Sequence, residues 1–181
     1  MNKKIRWITE TAVMLALLVA LQALTKPMGQ LVTGSCVNIV LAVTVLLAGL
    51  SSGLTVAVAS PVLAYLLGIA PILLTVPAIM VGNAVYVTVL YFLAGKDSRK
   101  LARQVLGWAV AAAAKFGALY AIVVWLICGV FAEGLLAAGV LKGPMLKALP
   151  ATFSWPQLFT ALIGGAGALV TVPVLRRALH K

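Results

Sequence analysis

The sequence predicts an all-α integral membrane protein: a single domain over residues 1–181, built as a bundle of six transmembrane helices with both termini in the cytoplasm. Hydrophobic residues make up 64% of the 181 residues and charged residues 9%, with a mean hydropathy of +1.16. Soluble domains run about 45–50% apolar and about 25% charged, so this chain uses lipid as its solvent. The apolar residues also fall into long runs, and the basic residues flank those runs on alternate sides.

A helix needs about 20 apolar residues to cross about 30 Å of hydrocarbon, where bare backbone groups find no partner. The spans are predicted at residues 7–25, 33–50, 53–69, 73–94, 104–131 and 155–175. The first follows Lys3, Lys4 and Arg6, as a signal peptide would, but no Ala-x-Ala cleavage pattern follows it, and it is read as a retained helix with cleavage as the alternative. Gly49, Ser51, Ser52 and Gly53 predict a tight turn before the third span. Gly68, Pro71 and Pro77 break the chain before the fourth, and Pro61 lies inside the third, where proline kinks a helix. Residues 133–150, rich in small, apolar and Gly/Pro residues, predict a long outer connection with a short interfacial helix or lid.

Net charge is +11, which in a soluble chain would suggest nucleic acid; no basic stripe interleaved with aromatics lies outside the spans, so nucleic acid is set aside. The charge is a topology signal instead. Lys3, Lys4, Arg6, Lys96, Arg99, Lys100, Arg103, Arg176, Arg177 and Lys181 fall on one side, against Lys26, Lys142 and Lys147 on the other. Cytoplasmic loops carry the excess of Lys and Arg, which fixes the orientation.

Catalytic chemistry is poorly supplied, and the chain is read as not an enzyme. The one histidine is His180 near the end of the sequence, so Ser/His hydrolysis and an H-E-x-x-H zinc site are excluded. Glu10, Asp97 and Glu133, the three acids, sit at predicted membrane edges, where proton relays are not built. No P-loop is present. Cys36 and Cys128 lack metal-ligand spacing and read as small buried hydrophobes. No cofactor and no metal site is expected.

Polar groups deep in the spans carry the most information. Asn83 and Lys115 each lie roughly 16 Å from the cytoplasmic face at about 1.5 Å per residue, and Asn38 lies at a similar level. An ammonium at that depth must face the protein interior or a wet cavity. Lys115 can therefore receive an anionic group of a ligand, with Asn83 and Tyr86 beside it, or it can bond neighbours only to hold helices together. Trp125, Trp155, Gln157 and Thr160 lie toward the outer side, as interfacial anchors or as the wall of an outward cavity. Gly164, Gly165 and Gly167 read as close-packing points.

On the first helix Ala12, Ala16 and Ala20 recur every four residues, a small-residue face that permits close helix approach, to a partner or to a neighbouring span. Together with the basic N-terminus, a polar outer loop before helix two and the Gly82-Asn83 pair in the fourth span, this pattern resembles the substrate-binding S components of energy-coupling factor (ECF) transporters over nearly the whole chain.

The resemblance implies a binding subunit that captures a vitamin or related micronutrient in an outward cavity formed by the first outer loop and the last three helices. Met28, Gln30 and Thr33 occupy the matching loop. It also implies that Ala12, Ala16 and Ala20 dock a transmembrane T component driven by two cytoplasmic ATPases, in a prokaryotic plasma membrane. Lys115 would suit a carboxylate-bearing vitamin such as biotin, pantothenate or nicotinate. A stand-alone passive channel or facilitator and a scaffold that binds no solute are the alternatives.

Overall fold

Asn2 starts the first helix, its side-chain oxygen accepting from the Lys4 amide and so occupying one of the donors that a helix N-terminus leaves open. The computed structural model describes residues 2–69, 72–94 and 101–178; Pro71, Lys96, Asp97, Arg99, Lys100, His180 and Lys181 lie outside the described residues. The chain runs through α1 (Lys3–Thr25), α2 (Gln30–Ala48), α3 (Leu50–Leu66), α4 (Val76–Ala94) and α5 (Leu101–Leu119), which continues π-helical over Tyr120–Val130. Two short helices, α6 (Ala132–Ala137) and α7 (Gly143–Phe153), lead to α8 (Trp155–Ala178). The fold is all-α, without strands among the described residues.

Five segments are long and apolar enough to cross a membrane: Lys3–Met28, Gln30–Ala48, Leu73–Ala94, Leu101–Val130 and Gly143–Ala178. The remaining predicted span corresponds to α3, a 17-residue apolar helix at the short end of the spanning range of about 17–25 residues. The turn before α3 is tighter than the serines and glycines suggested. Gly49, at φ +95°, is the whole connection, because one left-handed glycine is enough to reverse the chain, and Ser51, Ser52 and Gly53 already belong to α3. Pro77 is the second residue of α4, where a missing N–H costs nothing.

Side-chain contacts fix the helix directions. The Thr11 and Ser52 hydroxyls are hydrogen-bonded toward the start of α1 and α3, and Lys26 donates to the Gly68 carbonyl at their other end, so the two run parallel. α2 and α8 are parallel too: Asn38 bonds Thr160, and Arg176 reaches the Leu46 carbonyl. α4 and α5 run antiparallel, with Gly82 against Leu119 and Gly107 against the Ala94 backbone. Glycine is needed there because a β-carbon would collide with the facing helix. The same holds for Gly164 against Asn38 and Gly165 against Trp108.

The main apolar core lies between α2, α3, α4, α5 and α8, around Leu41, Val45, Val56, Tyr86, Leu90 and Ala161, with Leu18 from α1. A second cluster at the other end gathers Leu119, Val123 and Ile127 with Leu141, Leu149 and Phe153. The predicted outer connection is thus folded as α6 and α7, and α7 closes over the end of the bundle by burying Leu149 and Phe153. Between these clusters a polar layer is left.

Candidate functional site

Three helices bring their mid-depth polar residues to one point. Lys115 on α5 donates from Nζ to Asn38 Oδ1 on α2 at 2.6 Å and to Asn83 Oδ1 on α4 at 2.7 Å, and it sits 5.5 Å from the centre of the Tyr86 ring. Lysine has donors and no acceptor, so both amides must turn their oxygens toward it and their amino groups away. Asn38 Nδ2 then donates to Thr160 Oγ1 on α8 at 3.3 Å, and Thr160 donates to the Gln157 carbonyl. All of these polar groups are buried: Asn38 and Asn83 are 1% exposed and Lys115 3%. Among the described residues no Asp or Glu pairs with Lys115.

The cluster forms one wall of a cavity of about 290 Å³, at the small end of ligand pockets, which run about 300–1,000 Å³. Lys115, Asn38 and Asn83 line its deep end; Gln22, Gln30, Thr33, Thr75, Thr152 and Gln157 line the end nearer the α1–α2, α3–α4 and α7–α8 junctions. Apolar faces come from Val37, Ile69, Ile72, Ile79, Leu149 and Phe153. The site is therefore a pocket with one cation at its base, amide and hydroxyl groups near its mouth, and hydrocarbon between them. Such an arrangement can bind and orient a small amphipathic molecule.

The residues singled out in the sequence fall in several places. Lys115, Asn38, Asn83 and Gln157 meet at the cavity, and Tyr86 lies behind the lysine, fully buried. Trp125 and Trp155 do not line it: they are 65% and 63% exposed, on the outer surface of the bundle, and Trp155 stacks on Phe116 with ring centroids 5.6 Å apart. Their depth was readable in the sequence but their angular position around the helix was not, and the π-helical stretch shifts the phase at Trp125. Gln30 and Thr33 belong to the first turn of α2 instead of the loop, while Met28 is 66% exposed and off the cavity. Ala12, Ala16 and Ala20 are all exposed along α1.

Gln22, Thr75 and Thr152 were not anticipated as lining residues, because polar residues near helix ends look like ordinary boundary residues. The convergence of three loop junctions over one cavity was the missing signal. Among the described residues no group of three or more His, Cys, Asp or Glu could hold a metal ion.

A family model described as ECF transporter, substrate-specific component, matches residues 8–176 of the chain. No curated protein and no solved structure matches it.

Proposed function

The chain belongs to the substrate-specific components of ECF transporters, and on that premise we propose that it is the high-affinity binding subunit of an ATP-driven importer for a small carboxylate-bearing micronutrient, a vitamin or a close relative of one. Membership makes it a multi-pass membrane protein of a transport family, not of an enzyme family, and implies a T component, ATPase subunits and a small-molecule substrate. The finer reading is a prokaryotic plasma membrane, six spans with cytoplasmic termini, and two cytoplasmic ATPases.

One observation carries the proposal: a buried lysine, with neutral amides and no carboxylate as its partners, forms the base of a cavity. Two of its three N–H donors go to Asn38 and Asn83, and the third is available to a ligand oxygen. The Asn83 amino group, turned away from the lysine, is a second donor for the same carboxylate. An open cavity at this point speaks against a scaffold whose interior is filled with side chains. The exposed face of Ala12, Ala16 and Ala20 supports α1 as the surface that meets the T component.

The test is to purify the chain in detergent, identify the small molecule that co-purifies by mass spectrometry, and titrate biotin, pantothenate and nicotinate into wild type and Lys115→Met. At least one of these acids binds, and its affinity falls by roughly 10- to 100-fold in the variant, the range expected for losing hydrogen bonds to a charged donor. Unchanged carboxylate affinity in Lys115→Met reduces the lysine to a packing element. Uptake of the bound acid by liposomes that contain only this chain would instead support a passive facilitator.

A further inference from the structure

The hydrogen-bonding groups around the cavity differ in sense between its two ends. At the deep end the free groups are donors: the remaining Lys115 N–H and the Asn83 amino group, whose oxygen is taken by the lysine. Near the mouth the carboxamides of Gln22, Gln30 and Gln157 offer both donors and acceptors, and the threonine hydroxyls add acceptors. Thr33 Oγ1 donates to the Thr25 carbonyl at 2.8 Å, Thr75 Oγ1 to the Ile72 carbonyl at 2.9 Å and Thr152 Oγ1 to the Ala148 carbonyl at 2.8 Å. Each hydroxyl has one proton, and once that proton is committed only lone pairs are left to face the cavity.

Gln22 adds to the same pattern. It lines the cavity from the last turns of α1, and its Oε1 is buried with no hydrogen-bond partner among the described residues. Buried acceptors without a partner are rare enough to require a reason. The terminal torsion of a glutamine is broad, so a small turn of the carboxamide presents this oxygen to a bound molecule.

Resting on the reading of the cavity as a carboxylate-binding site, we propose that it selects acids whose far end carries neutral N–H or O–H groups, with Gln22 as a specificity-determining residue. The carboxylate accepts from Lys115 and Asn83, the apolar middle lies against Ile72, Ile79 and Phe153, and the donors at the far end meet Gln22 and the threonine lone pairs. A ligand with a purely apolar far end leaves the Gln22 oxygen and the threonine lone pairs unmatched, and a buried unmatched acceptor is penalised more than a formed bond is rewarded.

Two pairs of probes, of which biotin and lipoate are the better matched, test this on the full chain in detergent, by isothermal titration. Biotin and lipoate share a valerate chain and a sulfur-containing ring, but only biotin carries ureido N–H groups. Pantothenate carries hydroxyl and amide donors, and nicotinate carries none. In wild type at least one donor-bearing acid binds about tenfold or more tighter than its donor-free counterpart, and Gln22→Leu shrinks that ratio toward unity. Thr152→Val, from which one acceptor is removed on a different helix, reduces the same ratio and guards against a folding defect in the first variant. Equal affinities within both pairs, or a ratio unchanged in both variants, overturns the selection by hydrogen-bond sense while the carboxylate site stands. No binding by any of the four acids overturns the carboxylate site itself, and this inference with it.

Discussion

Gly165 on α8 faces the Trp108 indole on α5 so closely that a β-carbon on the glycine would overlap the ring. The indole Nε1 donates to the Ala161 carbonyl one turn away at 3.2 Å, so the ring is held in place and cannot swing aside cheaply. Gly165→Val is therefore expected to lower the thermal unfolding temperature sharply in detergent, at a cost of about 2–4 kcal/mol from overpacking and a displaced indole. Gly117, which has open space around its Cα, is the control: Gly117→Ala should be neutral or stabilising by up to about 1 kcal/mol. A Gly165→Val protein as stable as wild type would mean that α5 and α8 do not meet as described.

The lysine cluster should respond non-additively. Asn83→Leu strips one acceptor from a buried lysine and is expected to destabilise by about 2 kcal/mol, since bonds to charged groups contribute about 1.5–3 kcal/mol each. Lys115→Met leaves two amide oxygens without a donor and also destabilises. The double variant removes both sides of the bond and should cost less than the sum of the singles. Strict additivity in thermal unfolding would show that the two side chains do not interact.

The exposed alanine face of α1 gives a functional prediction. Ala16→Trp places an indole where close approach of a neighbouring helix needs a methyl. Uptake in whole cells, with the T component and ATPases present, should be abolished, while binding by the purified chain should stay within about twofold because Ala16 does not line the cavity. Normal uptake would leave this face to lipid.

Orientation can be read by chemical labelling. In a background with Cys36 and Cys128 replaced by alanine, Lys142→Cys should react with a membrane-impermeant maleimide in intact cells, and Lys3→Cys only after lysis. Both positions are exposed on the protein, so the bilayer alone decides the difference. The reverse result would invert the topology inferred from the basic residues.

Much of this was legible in the sequence because lipid imposes one-dimensional rules. Hydrocarbon thickness sets the length of a span, and counting along it set the depth of Asn38, Asn83 and Lys115; in the structure the lysine donates to Asn38 at 2.6 Å and to Asn83 at 2.7 Å. Rotation about the helix axis is not governed by such a rule. Trp125 and Trp155, at a suitable depth, point away from the cavity, while Gln22 and Thr152, which carried no signal, point toward it. The π-helical run from Tyr120 to Val130 leaves no mark in an all-apolar sequence, since every register buries or exposes equally oily side chains. For residues 133–150 the small, apolar and Gly/Pro residues made a short helix or lid legible, but not its division into α6 and α7.

As a sixth span, α3 would affect the surrounding membrane through its brevity. Seventeen residues rise about 26 Å at about 1.5 Å each, short of a hydrocarbon slab of about 30 Å, whereas α1 with 23 residues overshoots it. Such a mismatch draws the lipid surface down beside the shorter element. The dimple would lie where α3 ends at Leu66, close in sequence to Ala64 and Ile69 on the pocket lining. Water and dissolved cargo would thus reach the mouth through a local depression in the leaflet, and lipids with longer tails, which resist thinning, should slow their arrival.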